Sequence, residues 1–144
     1  MAVSGNKEFH IKADPAKVMA AIVAVERVPE WSSSHKSVVV ESTHPDGRPL
    51  RVRMKVSVLG VNDEQVVDYQ WVGDEKVSWT LVQSDQQKTQ DGSYTLVADG
   101  DGTNVTFDLT VDLKIPMPGF IVKRGQKIAL ETASKGLTKF LETF

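Results

Sequence analysis

Asn104-Val105-Thr106-Phe107-Asp108-Leu109-Thr110-Val111-Asp112-Leu113-Lys114-Ile115 decides the fold. Odd positions are apolar and even positions polar throughout, the period of a strand with one buried and one wet face. Pro116-Met117-Pro118-Gly119 then stops the strand. From Phe120 to the C-terminus the period changes to helical, with Val122, Ala129, Ala133, Leu137, Phe140 and Leu141 on one face. That predicts a helix of roughly seven turns. A one-faced strand followed by a long amphipathic helix calls for a sheet that the helix covers.

Upstream residues supply the rest of that sheet. Leu50, Val52, Met54, Val56 and Val58 alternate with Arg51, Arg53, Lys55 and Ser57. Ser37–Glu41, Gln65–Val72, the Val77-Trp79-Leu81 run and the Tyr94-Leu96-Ala98 run read as further strands. Pro45-Asp46-Gly47-Arg48, Gly73-Asp74 and Asp99-Gly100-Asp101-Gly102 read as turns. A first strand spans Val3 to Lys12. Asp14-Pro15 then opens a helix, with Asp as N-cap and Pro at the first helical position. Val18, Ala21, Ile22 and Val25 make its apolar face. Pro29 is expected to end it, with a second short helix or turn over Pro29–Ser33. The expected architecture is α+β: strand, two short helices, about six antiparallel strands, long C-terminal helix. All 144 residues are expected to form one domain.

Composition narrows the function classes. The formal net charge is −2, which argues against a nucleic-acid-binding surface. There is no cysteine, so disulfides, thiolate catalysis and Cys-based zinc sites are excluded. No apolar stretch approaches the ~20 residues that span a bilayer. No signal peptide is visible, and a cytoplasmic location is the expectation. His10, His35 and His44 lack metal-ligand spacing. His10 and His44 are expected to face solvent, and Ser32-Ser33-Ser34-His35 to be a polar connector. Asp99-x-Asp101-x-Thr103 lacks the glutamate that a calcium loop needs, because position 12 is Thr110. Asp63-Glu64 and Asp74-Glu75 are expected to be solvated pairs at turns. No nucleophile elbow or phosphate cradle occurs, and no cofactor or metal is expected.

A set of large side chains on the apolar face stands out. Period-two counting puts Met54, Tyr69, Trp71, Trp79, Tyr94 and Phe107 on the side facing the helix, with Gln65 among them. Opposite, the helix offers Gly125, Ala129, Ala133 and Gly136, all small. Small residues either let a helix approach closely or leave volume unfilled, and periodicity does not separate the two.

Several motifs in order resemble the START-like, helix-grip superfamily (SRPBCC), in its polyketide cyclase/dehydrase and lipid-transport branch. They are Ile11-Lys12-Ala13-Asp14-Pro15-Ala16-Lys17-Val18, Val28-Pro29-Glu30-Trp31, Val77-Ser78-Trp79, Gly92-Ser93-Tyr94, Asp99 to Thr106, and Ile115-Pro116-Met117-Pro118-Gly119-Phe120. The sequence departs from that pattern at Val28, where an aromatic is usual, and at Met19, where Trp or Phe is common. The resemblance implies a curved antiparallel sheet wrapped around the C-terminal helix, with a cavity between them. It implies a small hydrophobic ligand, such as a lipid, quinone or polyketide. Met54, Gln65, Tyr69, Trp71, Trp79, Tyr94, Phe107, Ala129 and Ala133 become the candidate ligand-binding residues. A polyketide cyclase or dehydratase, with Tyr94 or a pocket water as acid/base, is the alternative. A protein-interaction module using the outer sheet is a further one. Fold alone does not choose among them.

Overall fold

A computed structural model describes residues 2–144. Seven strands form one antiparallel sheet: β1 Ala2–Ile11, β2 His35–Thr43, β3 Pro49–Val58, β4 Val61–Val72, β5 Lys76–Ser84, β6 Gln87–Asp99 and β7 Gly102–Leu113. Their order is β1-β7-β6-β5-β4-β3-β2. Consecutive strands β2 to β7 pair as hairpins, and β1 closes against β7. Between β1 and β2 lie α1 (Pro15–Val23) and a 3-10 helix (Val25–Glu30). After β7 come α2 (Gly119–Glu131), a π-helical turn (Thr132–Gly136) and α3 (Leu137–Leu141), which run on without a break. The fold is α+β, a curved sheet with a long C-terminal helix, as the alternation requires.

Local chemistry places these elements. The Asp14 carboxylate accepts from the Lys17 N–H at 2.8 Å and caps α1, with Pro15 at its first position. Gly47 and Gly100, at φ +90° and +59°, turn two of the hairpins. Val52 and Val105 are fully buried while Asp108 is exposed, so the predicted faces of β3 and β7 hold. On the outer face Arg51 pairs with Asp68 at 2.9 Å, and Arg53 with Glu41 at 3.1 Å.

Several boundaries differ from the sequence reading. Helix α1 ends at Val23, and Pro29 sits inside the 3-10 helix instead of ending α1. A proline there sacrifices no α-helical hydrogen bond. Strand β7 stops at Leu113, leaving Ile115 63% exposed. Finally, β4 and β6 begin earlier than expected. The chain reverses between β3 and β4 at only Leu59-Gly60, both at positive φ.

The core has two clusters, a smaller one of Val25, Val38, Val52, Met54 and Val67 and a larger one built on α3. Leu137, Phe140 and Leu141 of α3 bury against α1 residues Val18, Met19 and Ile22 and sheet residues Val77, Leu96 and Val105. In α2, by contrast, every residue keeps some exposure. The helix is buried at its C-terminal end, while α2 touches β1 through Gln126, which donates to the Ser4 carbonyl, and leaves a gap over the rest of the sheet. Among the described residues no helix is long and apolar enough to cross a membrane.

Candidate functional site

The gap under α2 is a cavity of about 350 Å³. That lies within the roughly 300–1,000 Å³ range of small-molecule sites. Its sheet wall includes Met54, Gln65, Tyr69, Trp79, Tyr94 and Phe107, and its helix wall includes Ala129 and Ala133. Eight of the nine candidate residues therefore border one space. Val56, Leu109 and Val111 extend the sheet wall, and Ile121, Val122 and Ile128 the helix wall.

Both readings of the small helix residues occur, at different places. A Cβ added to Gly125 meets nothing within 4 Å, so the space there is open. A Cβ added to Gly136 comes within 2.6 Å of the Trp31 carbonyl oxygen, so that glycine permits close packing. Of the two departures from the family pattern, Val28 lines the cavity and Met19 is fully buried in the core.

An aromatic row floors the cavity. Ring centroids lie 5.7 Å apart for Tyr69 and Trp79, 5.9 Å for Trp79 and Tyr94, and 5.0 Å for Tyr94 and Phe107. Trp79 pairs across strands with Gly92, whose missing side chain makes room for the indole. Trp71 is the exception among the candidates. It stacks on Tyr69 at 5.4 Å, but its indole donates to the Pro49 carbonyl at 2.7 Å and Arg48 lies over its ring. It shares the face with Tyr69 yet lies beyond the end of the cavity.

Polar groups enter the wall on β4 and β6. The Asp63 carboxylate is buried and accepts from Gln65 Nε2 at 3.0 Å, Ser84 Oγ at 2.6 Å and the Asp85 N–H at 2.8 Å. Gln90 Nε2 donates to Gln65 and Gln87, and Gln90 Oε1 accepts from Trp79 Nε1 at 2.9 Å. Asp63 is thus no solvated turn residue. Because β4 starts at Val61, period-two counting puts Asp63 on the same face as Gln65 and Val67.

The segment read as a polar connector also faces the cavity. Ser32 is 2% exposed, and its Oγ lies 2.6 Å from His35 Nδ1. Burial pushes the His35 pKa down to about 4, so its ring is neutral at neutral pH. Next to it, the buried Trp31 indole N–H has no partner among the described residues. The serine-histidine spacing was visible in sequence. What placed it was the 3-10 helix, which turns Trp31 and Ser32 inward.

Tyr94 reaches the helix: its hydroxyl donates to the Ala133 carbonyl at 3.1 Å, inside the π turn. Burial raises the pKa of both Tyr94 and Tyr69, which keeps them protonated. A phenol so held and so buried is poorly suited to act as a base. No hydrogen bond from the Tyr69 hydroxyl is found among the described residues. His44 does not simply face solvent. Its Nε2 lies 2.7 Å from the Tyr69 carbonyl, so Nε2 carries the proton. His10 is exposed, as expected.

Known proteins agree with this architecture. A START superfamily protein from Mycobacterium smegmatis superposes with a TM-score of 0.85 at 26% identity, covering 99% of this chain and 97% of that one. TTHA0849 from Thermus thermophilus gives 0.82 at 22%, covering 98% of each. The Zhui aromatase/cyclase from Streptomyces sp. R1128 gives 0.80 at 10%, covering 99% and 94%, a likeness of fold alone. No curated protein matches by sequence. The family model for polyketide cyclase/dehydrase and lipid transport matches residues 2–143, and the chain belongs to that family.

Proposed function

We propose that this protein binds a small hydrophobic molecule in the cavity between the sheet and α2. The observation that carries this reading is the unfilled apolar volume of about 350 Å³ beneath a helix that contributes no fully buried residue. A core that served stability alone would close such a gap, because interiors pack densely. The aromatic row offers broad apolar contact, and Tyr69, Gln65 and Gln90 supply a few polar tips. Met54, Gln65, Tyr69, Trp79, Tyr94, Phe107, Ala129 and Ala133 are the contacts this reading assigns. Native mass spectrometry of freshly purified protein tests it. A co-purified small molecule, or saturable binding of a neutral apolar fluorophore, is expected; neither being found overturns it.

A second reading, acid/base catalysis of the cyclase kind, draws support from one feature. His35 is a neutral imidazole in the cavity wall, with Nδ1 held by Ser32. Such a group is free to accept a proton from a bound carbonyl compound, but only weakly, since burial holds its pKa near 4. Turnover of a poly-β-ketone thioester that is lost in His35→Gln, with probe binding kept, is the result this reading requires.

A further inference from the structure

Resting on the binding reading above, we propose that the cavity takes an uncharged ligand bearing a hydrogen-bond acceptor, such as a ketone, quinone or ester carbonyl, and excludes ionised carboxylates.

The cavity wall carries no cation: among the described residues that line it, none is lysine or arginine, and the one ionisable acid is Asp63. The arginines of β3 are on the other face, committed to Asp68 and Glu41. His35 adds no positive charge at neutral pH, since burial holds its pKa near 4. An ionised carboxylate that entered would leave water, find no counter-ion and approach another carboxylate. Each of these opposes binding.

The wall also has hydrogen-bonding capacity left over. The Asp63 oxygens are filled by Gln65, Ser84 and the Asp85 N–H, so they do not call for a cationic ligand. The Trp31 indole N–H has no protein partner among the described residues, but it is sealed inside the wall, out of a ligand's reach. Tyr69 lines the cavity and brings a hydroxyl with no partner among the described residues. A carbonyl oxygen can accept from that hydroxyl and brings no charge.

The test uses the full chain and the neutral fluorophore N-phenyl-1-naphthylamine at pH 8. Competitors are methyl decanoate, 2-undecanone and decanoate, which match in size and differ in charge. The ester and ketone are expected to displace the probe, with decanoate weaker by about tenfold or more. The variant Gln87→Lys adds a cation to the wall and is expected to strengthen decanoate selectively. If the probe binds and decanoate competes as well as its methyl ester, the binding reading stands and the neutral-ligand proposal falls. Decanoate unimproved in Gln87→Lys also overturns the proposal, because charge is then not what excludes it. If the probe does not bind at all, both readings fall.

Discussion

The Tyr94 hydroxyl donates to the Ala133 carbonyl at 3.1 Å, tying the floor of the cavity to the π turn in its roof. A π turn widens the helix locally and is found often at functional sites. Here it divides the terminal helix into a part that packs, α3, and a part that stands off, α2. Removing the hydroxyl leaves a buried carbonyl with one partner fewer. Tyr94→Phe is expected to destabilise the fold by about 1–2 kcal/mol. Urea denaturation measures this, and a change within error of zero would mean that the tie is not structural.

Gly92 and Trp79 depend on each other in the same way. A Cβ at position 92 lies 2.2 Å from the Trp79 indole, a contact that the ring must move to relieve. Moving it also disturbs the hydrogen bond to Gln90. Gly92→Ala is expected to cost about 1–3 kcal/mol, as overpacking does. It should also shift the tryptophan fluorescence maximum. Wild-type stability with an unshifted spectrum would show that the indole is not held against this glycine.

His35 sets a pH dependence. Its pKa falls from 6.5 in the unfolded chain to about 4 in the folded one. Between those values the unfolded state binds the extra proton, so stability rises with pH there. The contribution is complete above pH 6.5 and is lost as pH falls toward 4, on the order of 3 kcal/mol in all. Denaturation curves from pH 7 to 4.5 should show this loss in the wild type and a much flatter profile in His35→Gln. Equal slopes in the two proteins would mean that the imidazole is not buried neutral.

The sequence carried some of these features more openly than others. Strict alternation over Val105 to Leu113 admits one register, because a one-residue slip exposes every apolar side chain. Tyr69, Trp79, Tyr94 and Phe107 came to one wall by the same counting. Asp63-Glu64 has the composition of a turn, which hides Asp63, while the true turn is the tighter Leu59-Gly60. Counting back from Val67 to Val61 reveals it. Gln87 and Gln90 are hidden for a related reason, since β6 begins well before Tyr94 and carries an irregularity near Gln87. Trp71 falls with the cavity residues by period two, which gives the face but not how far the cavity extends along a strand. Ser32 and His35 are not legible as wall residues, because a turn composition looks the same whether the 3-10 helix before it points inward or outward. The cavity itself was the least legible. Gly125 and Gly136 are the same residue on one helix, yet one borders open space and the other touches Trp31.

Gly125 gives the most direct test of the claim that this cavity is a binding site. Its Cβ direction is free of atoms within 4 Å, so Gly125→Phe places an aromatic side chain in the space with no clash at its root. Replacing a helix-interior glycine by phenylalanine also favours the helix, by roughly half a kcal/mol. The measurement is titration of N-phenyl-1-naphthylamine into wild type and Gly125→Phe, with thermal melts of both. The account predicts an unchanged or higher melting temperature with probe affinity reduced by about tenfold or more. A folded Gly125→Phe that binds the probe as tightly as wild type would contradict it, because the probe would then sit elsewhere.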